Sequence, residues 1–268
     1  MTKITLQFKP ESHSKLYWAF SDSLTMIRRN ITHIVNNMDQ LLSVVLQPIM
    51  FMLLFRYVFG GAINTGGTSY VNFLVAGILV QSAAFGATTT SLGVATDLTK
   101  GIMDRFRSLP MLSAAVLIGH TTADLVRNLI SSFVMVAVAF AVGFHPQASI
   151  IDWIAVVGIL MLFTYALSWM SAILGLLAKS VEAVQWFGFI FIFPLTFASS
   201  AFVPTTGMPK YLRIFAENQP VTHVIETIRG LLVGTPIGDH GWLAFIWCLG
   251  LLIISVLISS NIFRKLGR

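Results

Sequence analysis

Charge is what this sequence has least of. Asp, Glu, Lys and Arg make up 10% of its 268 residues, against about a quarter in soluble domains. Hydrophobic residues make up 56%, with mean hydropathy +0.80. A water-soluble domain is therefore excluded, and the composition is that of an integral membrane protein. Cysteine is almost missing: Cys248 stands alone inside an apolar run, so no intramolecular disulfide can form. No G-x-x-x-x-G-K-[ST] phosphate loop, H-E-x-x-H pair or Cys/His cluster occurs, so nucleotide binding of that kind and metal catalysis have no footing. No nucleophile–base constellation supports a membrane-embedded enzyme. Apart from Asp124, beside Arg127, the apolar runs carry no mid-membrane carboxylate, and this counts against a proton- or ion-coupled carrier. The polar start, MTKITLQFKPESHSK, has no apolar centre and reads as no cleavable signal peptide.

Long apolar runs are what the sequence does have. A helix crosses the ~30 Å hydrocarbon layer with about 20 mainly apolar residues. Six segments qualify: Leu41–Phe59, Tyr70–Leu92, Ala123–Val142, Trp153–Leu177, Val184–Val203 and Trp242–Phe263. The second contains GATTTSLG, whose hydroxyls can bond back to helix carbonyls or to a neighbouring helix. Twelve basic residues then fall on one side: Lys3, Lys9, Lys15, Arg28, Arg29, Lys100, Arg105, Arg107, Lys179, Arg264, Lys265 and Arg268. Arg56, Lys210, Arg213 and Arg229 fall on the other. By the positive-inside bias, both termini face the cytoplasm. The net charge of +6 is thus a topology signal, and no nucleic-acid partner is expected.

Two further segments carry helical periodicity without being spans. Tyr17, Phe20, Leu24, Ile27, Ile31, Ile34, Met38 and Leu41 recur three and four apart, opposed by Arg28, Arg29, Asn30 and Asn37. This stripe predicts an amphipathic helix in the inner membrane interface rather than a soluble helix on a core. Between the fifth and sixth spans, Pro209 opens one short helix, and Asn218 with Pro220 opens another that Gly234 and Pro236 stop. Neither is long enough to cross, so both should dip into the outer leaflet and return. The fold class expected is all-α and membrane-integral. It has six transmembrane helices, an N-terminal interfacial helix and two short re-entrant helices before the last span. Residues 1–268 are expected to form one transmembrane domain: a cytoplasmic tail with the interfacial helix (1–40), a six-span region (41–263) and a short cytoplasmic tail (264–268).

The stretch TDLTKGIMDRFRSLPML, residues 96–112, is a charged island between two apolar runs. It is either a solvated, topology-setting loop or a short helix seated in a soluble partner. His120 and Asp124, four apart, predict a local hydrogen bond, and Asp124 and Arg127, three apart, predict mutual neutralisation.

At this point a family resemblance enters. DRFRSLPMLSAAVLIGHTTADLVRN, Asp104–Asn128, resembles the signature region of type 2 ABC exporter permeases, closest to the daunorubicin-resistance-type drug exporters. SSAFVPTTGMPKYLRIFAENQPVTHVIETIRGLLVG, Ser199–Gly234, is similar to that family's second long hallmark. One departure is Leu112 and Ser113, where a basic pair often follows the Leu-Pro-Met. The resemblance implies a bacterial cell-membrane permease with no cofactor of its own. It pairs with a second copy or a paralogue and with two ABC ATPase subunits that use ATP and magnesium. It also implies that Leu98–Leu109 is the coupling helix, with Lys100, Asp104, Arg105, Phe106, Arg107, Leu109 and Pro110 as the ATPase-coupling residues. The two short outer helices would lie by the extracellular exit, with Pro209, Glu226 and Arg229 in the gate region. The aromatic and hydroxyl surface of Phe85, Thr88, Thr89, Phe189, Phe193 and Phe197 is the expected substrate pathway for a hydrophobic or amphiphilic compound. Lipid exposure or helix packing would account for the same phenylalanines. Export of a lipid-linked polysaccharide or glycolipid, or proton-driven transport, are the competing functions.

The charge bias makes the topology testable. Cysteines placed singly at Lys100, Lys179 and Lys210 in a Cys248→Ser background should react with an impermeant maleimide in intact cells only at position 210. Labelling at position 100 from outside would overturn the six-span reading.

Overall fold

The computed structural model describes residues 15–36, 38–63, 65, 68–102, 113–178 and 180–265. The described residues form nine α-helices: α1 (Lys15–Asn36), α2 (Met38–Leu54), α3 (Tyr70–Thr99), α4 (Ser113–Ala141), α5 (Ile150–Leu177), α6 (Val181–Phe197), α7 (Lys210–Asn218), α8 (Pro220–Val233) and α9 (His240–Lys265). Four of them, α3, α4, α5 and α9, are long and apolar enough to cross a membrane. Two shorter apolar helices, Val44–Phe59 and Val181–Phe197, match the first and fifth expected spans. The chain is thus built as a multi-pass membrane protein.

α3 is the central post. Most of its length is buried, against α4, α5, α6 and α8. A helix surrounded by others needs no apolar stripe of its own, and its small residues let neighbours come close. At Gly77 an added Cβ would stand 2.0 Å from the Ala201 carbonyl oxygen, and at Gly175 of α5 one would stand 2.6 Å from the Ser91 carbonyl oxygen. Gly77 and the Ser91 backbone therefore mark a packing seam along α3.

Local signals account for several helix ends. Ser149 caps α5 in a capping box: its hydroxyl accepts from the Asp152 amide at 3.3 Å, and its own amide donates to Asp152 Oδ2 at 2.8 Å. Ser180 caps α6 by accepting from the Ala183 amide at 3.2 Å. Pro220 stands at the first turn of α8, and Gly234 closes it at φ +77°, a left-handed position that glycine adopts freely. The two short helices therefore lie where the proline and glycine signals put them.

Three boundaries differ from the sequence expectation. α3 runs seven residues past Leu92, to Thr99, and stops where Gly101 takes φ +66°. Leu98 and Thr99 thus belong to the central helix, and the island cannot be one continuous helix from Leu98. α4 starts at Ser113 rather than near Ala123, because polar His120 and Asp124 find partners inside the protein and need no water. α6 ends at Phe197, just after Pro194, instead of reaching Val203. The last turns of the expected span are replaced by the tight 198–203 segment, whose Ala201 carbonyl packs against Gly77.

α1 also departs from a simple amphipathic pattern. Tyr17, Phe20 and Leu24 are more than half exposed, while Met26 and Asn30 are buried on the side where α1 packs along α4. Of its polar face, Asn30 is turned inward and Arg29 reaches Asp97, while Arg28 stays exposed.

The packing seam sets a test. Gly77→Ala should cost about 1–3 kcal/mol, since the obstructing atom is backbone. Gly158→Ala, with nothing within 4 Å of the added carbon, should be neutral or slightly stabilising as a helix-interior replacement. Thermal unfolding of the purified variants in detergent compares them, and equal midpoints would show that the seam is loose.

Candidate functional site

The largest polar assembly is built around Asp124, a 1%-exposed side chain on α4. Thr89 of α3 donates to its Oδ1 at 2.6 Å, and Ser168 of α5 donates to Oδ2 at 2.6 Å. Thr90 adds a bond to Oδ2 at 3.1 Å, and Arg127 Nη1 donates to Oδ1 at 3.0 Å. Arg127 also donates to the Thr89 hydroxyl, and Asn128 Nδ2 donates to the Asp124 carbonyl at 3.0 Å. Three helices thus meet on one carboxylate, with every oxygen lone pair engaged. The expected neutralisation by Arg127 is present. The expected His120–Asp124 bond is not: His120 Nε2 stands 3.0 Å from Asp97 Oδ2 instead. α3 passes close to α4 and offers His120 a carboxylate that needs a partner, whereas Asp124 is already saturated.

Asp97 is the second polar node. Arg29 Nη2 reaches both of its oxygens at 3.3 Å, so α1, α3 and α4 join at this residue. Asp97 had been counted with the exposed island, yet it is buried because α3 continues past it. Between the two nodes lies a cavity of about 410 Å³. Arg29, Asn30, Lys100, His120 and Arg127 line it together with Thr89, Thr90 and Asp97. Asn30 Nδ2 and Arg127 Nε have no hydrogen-bond partner there.

At the opposite end of α3, Arg229 of α8 clamps the 198–203 segment. Its Nε donates to the Phe73 carbonyl at 3.2 Å and its Nη2 to the Ser200 carbonyl at 2.7 Å. Its Nη1 donates to Glu226, and the guanidinium lies 3.7 Å from the centre of the Phe73 ring, a cation–π distance. Tyr70 donates to the Phe202 carbonyl at 3.1 Å, and Gln219 Nε2 donates to the carbonyls of Leu195 at 2.9 Å and Ala198 at 2.6 Å. The 198–233 region is therefore fastened to α3 mainly through backbone carbonyls. On its exposed side, hydrogen bonds from Arg213 at 2.7 Å and Thr205 at 3.0 Å hold the Glu217 carboxyl below its usual range.

An aromatic ladder runs from α6 to α2. Ring centroids of Phe189 and Phe193 are 5.0 Å apart, Phe193 and Phe197 4.1 Å, Phe197 and Phe202 4.8 Å, and Phe202 and Phe55 4.2 Å. Phe189 is 51% and Phe193 36% exposed, and Trp186, Ile190 and Phe191 extend the open apolar face.

The sequence-predicted residues divide accordingly. Phe189, Phe193 and Phe197 share the ladder. Phe85 packs on the main core, and Thr88 faces Gly188 of α6, where an added Cβ would be 3.0 Å from its methyl carbon. Thr89, assigned to the same pathway, turns the other way into the Asp124 node. Glu226 and Arg229 are brought together, while Pro209 is exposed at the start of α7, outside that clamp. Lys100 sits at the cavity rim. Asp104, Arg105, Phe106, Arg107, Leu109 and Pro110 lie outside the described residues, as does Lys179. Sequence reading missed Asn30, Asp97 and Ser168 as members of polar nodes. Their signal was a polar residue at a helix position expected to face lipid or water, and only the neighbouring helices give it meaning.

Among the described residues no group of three or more His, Cys, Asp or Glu could hold a metal ion. Charged and hydroxyl groups paired between apolar helices, with open apolar faces outside, define a multi-pass membrane protein. The chain belongs to the ABC-2 type transporter family, which matches residues 22–233. It is 31% identical, over 81% of its length and 77% of the relative's, to the daunorubicin resistance ABC transporter permease protein DrrB1 of Streptomyces coeruleorubidus. It is 24% identical, over 96% and 93%, to the probable doxorubicin resistance ABC transporter permease protein DrrC of Mycobacterium tuberculosis. Nodulation protein J of Rhizobium leguminosarum bv. trifolii matches at 23% over 76% of this chain and 78% of its own. Membership makes the chain the membrane part of an ABC transporter, a transport permease without the ATPase, and implies partnership with an ABC ATPase subunit.

The Asp124 node predicts strong coupling. Asp124→Leu leaves the Arg127 guanidinium buried without its partner and should cost about 3–5 kcal/mol. Asp124→Leu combined with Arg127→Leu should recover a large part of that loss. Unfolding midpoints of the two singles and the double, read as a cycle, measure it. Strictly additive effects would mean that the pair carries no interaction.

Proposed function

We infer that this chain is the permease subunit of an ATP-driven exporter that moves a hydrophobic or amphiphilic compound, of drug, antibiotic or lipid-like character, out of the cell. The observation that carries the reading is the similarity to a permease named for daunorubicin resistance over 81% of this chain. The open aromatic face of α6, with Phe189 and Phe193, supports it, because a pathway for such a compound needs apolar and aromatic surface rather than fixed charge.

In this reading residues 1–268 form one permease domain with six spans: α2 with its continuation to Phe59, then α3, α4, α5, α6 and α9. Both termini are cytoplasmic. α1 lies in the inner interface, and α7 and α8 dip into the outer leaflet beside the exit. Two permeases, identical or related, work with two ATPases. Phe85, Thr88 and the α6 ladder wall the pathway, while Thr89 serves the Asp124 node that couples α3 to α4 and α5. Glu226 and Arg229 form the outer gate clamp. The segment after Gly101, carrying Asp104, Arg105, Phe106, Arg107, Leu109 and Pro110, seats in the ATPase. A rigid α3 with the docking segment at one end and the Arg229 clamp at the other is a direct lever. Movement of the docked end on ATP binding reaches the outer end through a single helix of 30 residues, about 45 Å long.

The docking role is tested by reversing charge. Arg105→Glu with Arg107→Glu should lower ATPase co-purification about tenfold or more, since close charge pairs at a desolvated interface are each worth about 1.5 kcal/mol or above. Transport should fall with it. Lys210→Glu with Arg213→Glu, at the other end of the molecule, is the charge-matched control and should leave association unchanged. Full association and ATP-dependent transport by the first variant, at normal membrane abundance, would reduce the island to a solvated loop.

A further inference from the structure

Two histidines meet where α8 packs on α9. His223 Nδ1 stands 3.0 Å from His240 Nδ1, and the ring centres are 5.2 Å apart. That spacing leaves scarcely a ring radius on either side of the contact, so the two nitrogens face each other along the line joining the rings. A zinc ion bound to both would stand about 2.0–2.1 Å from each nitrogen, off the line along which they point. The arrangement suits a shared proton: one nitrogen carries the hydrogen and the other offers its lone pair. His223 is 5% exposed and lies in the first turn of α8, while His240 is the first residue of α9. Positive charge is disfavoured at a helix N-terminus, so neither position favours an imidazolium.

The contact tolerates some protonation states and not others. In the neutral pair one ring donates to the other. With one proton added, the imidazolium still donates to the neutral ring. With two, both facing nitrogens carry hydrogen and the rings repel. Among the described residues no carboxylate bonds either ring to offset that second charge. Glu226 of α8 is taken by Arg229, and on α7 Glu217 is taken by Arg213 while Lys210 is exposed. On α5 Asp152 is held in the Ser149 cap, and on α3 Tyr70 donates to the Phe202 carbonyl. Asp97 of α3 and Asp124 of α4 are engaged in their own nodes. Asp239, beside His240, is exposed, as is His145 in the loop whose Gln147 amide donates to the Leu232 carbonyl. Cys248 of α9 is buried, and Arg264 and Lys265 stand at its far end. We propose that His223 and His240 form an acid-sensitive latch between α8 and α9, closed with no added proton or one and opened by the second. Opening loosens from α9 the helix whose Arg229 clamps the 198–203 segment, so acidity reaches that clamp. Burial, and then the charge of the facing ring, holds His223 below the usual histidine range. Such a histidine contributes stability above pH of about 6.5. That stability is lost as pH falls below this value, because the unfolded chain then binds more protons than the folded one. Which compartment's acidity is read rests on the outer placement of α8 proposed above; the latch rests on the contact alone.

Hydrogen–deuterium exchange of the full-length protein in detergent, with labelling times corrected for the intrinsic rate at each pH, reads the latch. The open state holds one proton more than the closed. At an ordinary histidine pKa of about 6.5, lowering the pH from about 7.5 to about 5.0 therefore favours opening about tenfold or more. Wild-type peptides spanning residues 219–242 should exchange faster by that factor at the lower pH, while peptides around Asp124 should not. His240→Asn is the informative variant: its amide oxygen accepts from His223 Nδ1 whether or not His223 is protonated. It should match wild type at the higher pH and lack the acid response. Lys210→Gln should respond like wild type. An acid response of equal size in wild type and His240→Asn, or none in either, overturns the proposal. A cysteine placed at Thr222, which is 2% exposed, in the Cys248→Ser background reads the compartment. Acidifying the medium of intact cells should raise its impermeant-maleimide labelling relative to a cysteine at Lys210. If the exchange response is present and this one is absent, the latch stands and the outer placement of α8 falls.

Discussion

A carboxylate held away from water between three helices is the constraint on which the rest of this structure depends. In a bilayer no solvent can complete the hydrogen bonds of a buried charge, so Asp124 must find all its partners within the protein. It does so with Thr89, Thr90, Ser168 and Arg127. These come from three different helices, so their mutual registers are set together. Apolar contact alone would leave the helices free to slide, because lipid tails and leucine side chains offer each other nearly the same environment. The polar node removes that freedom, and the small residues of α3 make room for it: Gly86, where an added Cβ would meet Asn128 Oδ1 at 2.0 Å, is one such position.

The same logic operates at the two ends of α3. At one end Asp97 gathers Arg29 and His120, and this ties α1 to α3 and α4. At the other end Arg229 spends its donors on the carbonyls of Phe73 and Ser200 and on Glu226. Each of these charges is paired across helices or across a turn, so α3 is fixed at its head, middle and foot. A helix pinned at three levels is held in register more firmly than one held by side-chain packing alone.

The open faces are as telling as the closed ones. α2 and α6 present Leu46, Met50, Trp186, Ile190 and Phe191 outward, while the phenylalanine ladder stacks behind them. In water such a surface would aggregate; in a membrane it meets lipid or another protein chain. The described helices therefore form a unit that pairs its buried carboxylates internally and turns apolar faces outward.

Much of this was legible in the residue order. Six apolar segments, the amphipathic stripe of α1, the Pro220 start and Gly234 stop of α8, and the Asp124–Arg127 pairing all follow from local rules: length, period, backbone preference and three-residue spacing. The family was legible as resemblance, in the two hallmark segments. What local rules could not decide was where polar residues find partners. His120 had Asp124 at helical spacing and took Asp97 from another helix; Thr89, counted with Phe85 and Thr88, turned to the opposite side of α3; Asp97, placed in a loop, is interior. Sequence by itself determined that this chain lives in a membrane and roughly where its helices begin and end, because hydrophobic length and backbone propensity are local quantities. Only the tertiary structure decided which charges neutralise one another, because a charge buried between helices is stabilised by whatever neighbour the packing brings within about 3 Å, and sequence distance does not measure that.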